Sequence, residues 1–142
     1  MKTNIIRFGY SDKTHMAQSN AIRRQVFIQE QHVSPEIEYE NEEEGHYYLL
    51  IVDGVPVGTA RWRTTPAGIK LERFAMLKPW RNKGLGSILL EAVLEDVLPK
   101  GRPVYLHAQL AAVNYYLRAG FTEEGDRFTE AGIVHVKMRY TG

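Results

Sequence analysis

The order of hydrophobic periodicities along the chain predicts an α+β fold, a mixed sheet covered by helices. Three observations carry that prediction. Segments of period two and of period 3.6 follow one another as strand, helix, three antiparallel strands, helix, strand, helix, then a strand or hairpin. No repeat, low-complexity tract or linker divides them. The 142 residues, 44% hydrophobic and 25% charged, suffice for one sizeable core, so residues 1–142 are expected to form a single domain.

Each element has its own local reason. Ile5, Ile6, Phe8 and Tyr10 mark a first strand within Met1 to Tyr10, and Ser11-Asp12 offers an N-cap for the helix that follows. Met16, Ile22, Val26 and Phe27 recur at helical spacing until Val33-Ser34-Pro35 stops them. The acids Glu36, Glu38, Glu40, Glu42, Glu43 and Glu44 come next, either a solvated loop or short helix or an acidic rim that attracts an amine. Tyr47 to Val52, Asp53-Gly54 and Val55 to Arg63 read as a hairpin, because Asp-Gly supplies the positive dihedrals of a tight turn. After Pro66-Ala67-Gly68 the segment Ile69 to Leu77 adds a third strand, ended by Lys78-Pro79-Trp80. Leu85, Ile88, Leu89, Ala92, Val93 and Val97 form the apolar stripe of the clearest helix, closed by Pro99. Val104 to Ala108 is a short strand, Gln109 to Ala119 a compact helix ending at Gly120, and Ile133 to Tyr140 alternates as a strand.

Composition removes whole classes of function. The 18 basic and 17 acidic side chains leave a charge of +1, so no global field favours nucleic acid or an anionic membrane. Arg61-Trp62-Arg63 resembles a nucleic-acid patch in miniature, but strand alternation accounts for it equally well. With no cysteine there is no disulfide, thiolate metal site or thiol nucleophile. The N-terminus lacks a signal-peptide core and no run approaches the roughly 20 apolar residues of a membrane span, so a cytoplasmic protein, monomeric or homodimeric, is expected.

The stretch Arg81-Asn82-Lys83-Gly84-Leu85-Gly86-Ser87 lies between a predicted strand and the start of the clearest helix. Unpaired N–H groups and the positive end of the helix dipole converge there, which suits phosphate. Gly84 and Gly86 admit oxygens close to the backbone, and Arg81 and Lys83 add charge. Gly-Lys-Ser or Gly-Lys-Thr occurs nowhere, so this is no P-loop, and Leu89 stands where a Rossmann fingerprint needs its third glycine.

Arg81-x-x-Gly84-x-Gly86 resembles the [QR]-x-x-G-x-[GA] motif of the GNAT superfamily of acyl-coenzyme A-dependent N-acetyltransferases. The family pattern N-x-x-A-x-x-[LF]-Y-x-x-x-G-F is similar to Gln109 through Phe121, with Gln109 for the usual asparagine and Tyr115 for the usual leucine; Asn114 is not the family asparagine. Val26-Phe27 with Glu30-Gln31, the pair Ala108-Gln109, and Gly132-Ile133-Val134-His135 resemble the ElaA-like or YjcF-like branch. The resemblance spans nearly the whole chain. It implies a mostly antiparallel sheet of six or seven strands with about four helices.

It also implies acetyl-coenzyme A as cosubstrate. The diphosphate would be held by Arg81, Asn82, Lys83, Gly84, Leu85, Gly86 and Ser87, and pantetheine by backbone groups of Phe74, Ala75 and Met76 and by Gln109. Acetyl would pass directly to a primary amine on a small molecule, amino sugar or peptide, since no cysteine exists to carry it. Tyr116 would serve the departing thiolate, and a backbone N–H near Met76 would polarise the carbonyl. The amine needs a base: Glu72 is the first candidate, with Glu30 and Glu38 behind it. His46 and His135 are candidate proton relays. His15, His32 and His107, like them, lack a metal-ligand spacing, so a structural role is the default and no metal is expected. Arg118 is expected to be solvated rather than to reach the phosphate. The competing reading is a non-catalytic acyl-coenzyme A sensor or regulatory module with the same cleft.

Overall fold

A computed structural model describes Met1–Gly142. β1 (Thr3–Gly9) leads through Asp12 into α1 (Lys13–Arg23). The Asp12 carboxylate accepts from the backbone N–H of His15 at 3.2 Å, the N-cap expected of Ser11-Asp12. The first helix does not run on as regular α-helix: Arg24–Glu30 is π-helical, a wider winding often found beside functional sites. The acidic stretch is partly ordered, with α2 (Pro35–Glu38) and a 3₁₀ turn at Glu42–Glu44.

β2 (His46–Val52) and β3 (Val55–Thr65) form the hairpin across Asp53-Gly54, whose φ values are +48° and +83° as a tight primed turn requires. β4 (Gly68–Met76) completes the meander. α3 (Leu85–Val97) returns the chain to β5 (Val104–Gln109). The expected helix from Gln109 begins later, because Gln109 ends the strand and Leu110–Ala112 is a 3₁₀ turn before α4 (Val113–Arg118). β6 (Phe121–Glu130) and β7 (Ile133–Tyr140) close the chain as a hairpin.

The seven strands form one sheet in the order β1-β2-β3-β4-β5-β7-β6, antiparallel except where β4 meets β5. The predicted mixed, mostly antiparallel sheet with four α-helices is thus the fold observed. α3 buries Leu85, Leu89, Leu90, Val93 and Val97 against Leu50, Val57, Leu71, Leu106 and Met138 on one face. α1 and its π-helical extension place Ile22 and Val26 on the other, over Leu49 and Ala75. At about 25 cal/mol per Å² of apolar surface, each fully buried leucine or valine contributes on the order of 2 kcal/mol. No helix is long and apolar enough to cross a membrane.

Two details open the sheet. Thr59 pairs with Ala75 and Arg61 with Glu72, so Ala60 alone faces both Arg73 and Phe74, a bulge on β4. Arg73 adopts φ +59°, a left-handed conformation uncommon for arginine. Such a bulge bends its strand, and β4 pairs with β5 only from Ile69 to Leu71. Beyond Leu71 the two strands part.

Candidate active site

The parting leaves the β4 edge from Phe74 to Met76 without a partner on β5. Backbone N–H and C=O groups there can pair with an extended amide chain as a strand would. On the α3 side of the gap is a cavity of about 660 Å³ that includes Met76, Arg81, Asn82, Gly84, Gly86 and Ser87 in its walls. On the α1 side is a second, of about 420 Å³, that includes Glu72, Phe74, His107, Gln109 and Tyr116.

The turn into α3 has the geometry of an anion cradle. Gly84 sits at the N-cap with φ +75°, and no side chain caps the helix, so its first N–H groups find no partner from such a cap. A Cβ on Gly86 would meet only the Tyr115 hydroxyl, at 3.8 Å, and one on Gly84 nothing within 4 Å. The protein itself leaves this space open, as an elongated diphosphate needs. Asn82, Lys83, Gly84 and Ser87 are exposed there, whereas the Leu85 side chain is buried in the core and offers only its backbone.

Arg81 differs from the expectation of a phosphate clamp. Its Nε donates to the Met76 carbonyl at 2.8 Å and its Nη2 to Glu30 Oε1 at 3.0 Å. It braces the end of β4 against the π-helix while still bordering the larger cavity. The other cofactor candidates flank the gap: Ala75 is buried behind it, and Gln109 donates from Nε2 to Gln31 Oε1 at 2.9 Å.

Tyr116 is 9% exposed and touches Tyr115 and Phe121 edge-on. Its hydroxyl makes no hydrogen bond in the chain, and no fully buried polar side-chain atom is unpaired, so that oxygen meets the smaller cavity. Burial raises the phenol well above its ordinary pKa, which keeps the O–H protonated and able to donate.

The carboxylates are less free than their sequence positions suggest. Glu72 is not an exposed strand carboxylate; it is 8% exposed. Its Oε1 lies 2.9 Å from Arg61 Nη2 and 2.8 Å from Arg63 Nε, and its Oε2 3.5 Å from Lys70 Nζ. Burial would raise the carboxyl, but Arg61, Arg73, Lys70 and Arg63 outweigh it and hold it below its ordinary value. Such a group is a poor proton acceptor. Glu38 is buried between Arg23 at 2.6 Å and Arg73 at 3.3 Å, and burial pushes its carboxyl up. Glu30 is paired with Arg81.

The acidic run is therefore neither wholly solvated nor a free rim for amines. Glu38 and Glu42 serve as counter-ions to Arg23 and Arg61, which are 1% and 0% exposed, and Glu44 pairs with Arg63. Buried guanidinium groups demand such partners, and the acids supply them. Arg61 thus has a structural role that its place in Arg61-Trp62-Arg63 did not reveal. His46 lies outside both cavities, stacked on Trp62 with ring centroids 3.9 Å apart, while His135 lines the smaller one. Arg118, exposed on α4, borders the larger.

One group the sequence left in a structural role also lines the smaller cavity. His107 Nδ1 lies 3.2 Å from Glu130 Oε1, and the hydrogen bond lowers that carboxyl, against burial, to about 2. Its signal was available: His107 stands two residues before Gln109 and so shares its face of the strand.

Comparison with known proteins agrees with this geometry. Residues 11–141 match the family described as "Acetyltransferase (GNAT) domain". The chain is 40% identical to the protein YyaT of Bacillus subtilis over 122 residues, covering 82% of each chain. It is 35% identical to the N-acetyltransferase YjcF of the same organism over 120 residues, covering 82% of this chain and 86% of that one. The structure of Escherichia coli ElaA superposes with a TM-score of 0.87 at 21% identity, covering 99% of this chain and 100% of that one. A sheet split between β4 and β5, a glycine turn at the cradle and these likenesses lead to one conclusion: the chain belongs to the GNAT superfamily of acetyltransferases, as a relative of YjcF with the fold of ElaA.

Proposed function

We propose that the protein transfers acetyl from acetyl-coenzyme A directly to a primary amine. The observation that carries this reading is the gap between β4 and β5, flanked by an open cradle on one side and, on the other, a cavity reached by the unpartnered Tyr116 hydroxyl. Coenzyme A supplies the activated thioester and a leaving thiolate.

The chain's own residues do the rest. Backbone N–H groups from Gly84 to Ser87, with Lys83, hold the diphosphate. The free edge of Phe74 to Met76 pairs with pantetheine, and an N–H near Met76 polarises the acyl carbonyl. Gln109 offers an amide to the same arm. Tyr116 donates its O–H toward sulfur; its raised pKa beside a thiol near 8.5 makes it a hydrogen-bond donor more than a proton source. Glu72, locked among cations, pairs with the buried Arg61 and holds Arg63 in the wall of the acceptor cavity. The acceptor is an amine small enough, or on a peptide narrow enough, to enter about 420 Å³.

The test is calorimetric titration with coenzyme A, followed by thiol release from acetyl-coenzyme A with spermidine, tyramine and a glycyl peptide. The absence of cysteine removes background in a thiol-reagent assay. Binding with amine-dependent release is expected. Binding without release from any of them would instead favour the sensor reading.

A further inference from the structure

The three carboxylates first considered as bases are each engaged by cations: Glu72 by arginines and Lys70, Glu38 by Arg23 and Arg73, and Glu30 by Arg81, while Glu40 borders the same cavity from its exposed rim. We propose that His107, oriented by Glu130, is the base that takes the proton from the acceptor ammonium. This rests on the acyl-transfer reading above.

The geometry fixes the tautomer. An ionised carboxylate only accepts, so Glu130 Oε1 at 3.2 Å requires the hydrogen on His107 Nδ1 and leaves the Nε2 lone pair free. Nε2 makes no hydrogen bond within the chain, and since no fully buried polar side-chain atom is unpaired, it meets the cavity that His107 lines. The ring is held by an edge contact with Phe128, centroids 4.9 Å apart, and by Tyr105 at 6.1 Å. A second histidine lies beside Glu130: His135 donates from Nδ1 to the Ile133 carbonyl at 2.7 Å, and its Nε2 is 3.9 Å from Glu130 Oε2.

The pair arises from topology. β7 lies between β5 and β6, with Gln109 opposite His135, His135 opposite Phe128 and Glu130 opposite Ile133, so Glu130 reaches back over β7 to His107. The titratable and charged groups that line the cavity with His107 are Glu38, Glu40, Arg63, Lys70, Glu72, Arg73, Tyr116, Glu130 and His135, and Lys137 is its register partner on β7. Lys70 is tied to Glu72 and Lys137 to Glu124, which leaves Glu130 as the carboxylate that meets the imidazole.

In the step, Nε2 takes one proton from the ammonium and Glu130 stabilises the imidazolium, which then releases that proton to solvent. The neutral amine forms the C–N bond as the C–S bond breaks. The electron pair of that bond goes to sulfur, which takes the second N–H proton.

Three readouts test the assignment. Long-range ¹H–¹⁵N correlation of the wild-type imidazoles should give the Nδ1–H form for His107 at pH 8; an Nε2–H form would overturn the proposal without any need for turnover. With spermidine, tyramine and the glycyl peptide, His107→Gln should bind coenzyme A within about twofold of wild type. It should lose roughly 10²- to 10³-fold in kcat at pH 7, with the deficit shrinking toward pH 9.5 as solvent supplies the free amine. Glu130→Gln, which keeps the side chain's size but removes its charge, should lose about tenfold and shift the acid limb of the pH profile. A His107→Gln enzyme equal to wild type, or uniformly slower at every pH, overturns the base assignment alone. Wild-type protein that binds no coenzyme A overturns the acyl-transfer reading and this step with it.

Discussion

Tyr116→Phe removes a single oxygen, and the structure sets two magnitudes for its loss. In the folded protein that oxygen has no hydrogen-bond partner, while the ring packs against Tyr115 at 5.1 Å and Phe121 at 5.7 Å between centroids. Phenylalanine keeps those contacts, so stability should change by no more than about 0.5 kcal/mol, the range of substitutions that break no interaction. In the proposed reaction the same oxygen donates to a sulfur that gains negative charge. A hydrogen bond to a charged group contributes about 1.5–3 kcal/mol, which is about 10- to 150-fold in kcat. The assay is thiol release at saturating acetyl-coenzyme A, with urea unfolding and calorimetric coenzyme A titration alongside. Binding within about twofold, unchanged stability and a kcat loss of that size are expected. Unaltered kcat would remove Tyr116 from the chemistry, and a destabilisation of several kcal/mol would refute the argument that its hydroxyl is unpartnered.

Gly86→Val should fold normally, since its Cβ meets only the Tyr115 hydroxyl at 3.8 Å, yet weaken coenzyme A binding at least about tenfold by calorimetry. Gly84→Val adds backbone strain at φ +75° and should also lower the unfolding free energy from urea titration by about 1–2 kcal/mol. Arg61→Ala removes the fully buried cation shared by Glu72 and Glu42, leaving Glu42 with Arg23 and Glu72 with Arg63 and Lys70, and should cost about 3–5 kcal/mol in urea unfolding, whereas exposed Lys83→Ala should cost under about 0.5. The Glu130 carboxyl is depressed to about 2 in the folded state, from an ordinary 4.5. Its contribution to stability is therefore present above pH 4.5 and lost as pH falls toward 2. The melting-temperature gap between wild type and Glu130→Gln should accordingly shrink over that window and be constant from pH 5 to 6.

Local signals in the sequence identified what local physics controls. The Asp53-Gly54 turn, the Asp12 cap and the stripe from Leu85 to Val97 each appear where their residues indicate, because turn dihedrals, capping and amphipathicity act over a few positions. The glycine turn was legible for the same reason. What escaped depends on partners distant along the chain. Nothing local to Arg73 calls for a left-handed arginine; the bulge shows only when β4 is set against β3. The acids from Glu38 to Glu44 look solvated until Arg23 and Arg61 are found beneath them. Glu72 changes from candidate base to bound counter-ion once β3 aligns Arg61 with it. Likewise His107 gains its carboxylate from a residue 23 positions away.

The left-handed arginine has one more consequence. From its place at the bend of β4, Arg73 donates through Nε to the Glu38 carbonyl and through Nη2 to the Ile37 carbonyl, each at 3.1 Å. The kink that separates two strands and the tether that seats α2 are therefore the same amino acid. Any remodelling of residues 35–44 to admit a bulkier guest pulls on the hinge of the slot itself, so under the proposed reaction breadth of diet and grip on the thioester are geared together.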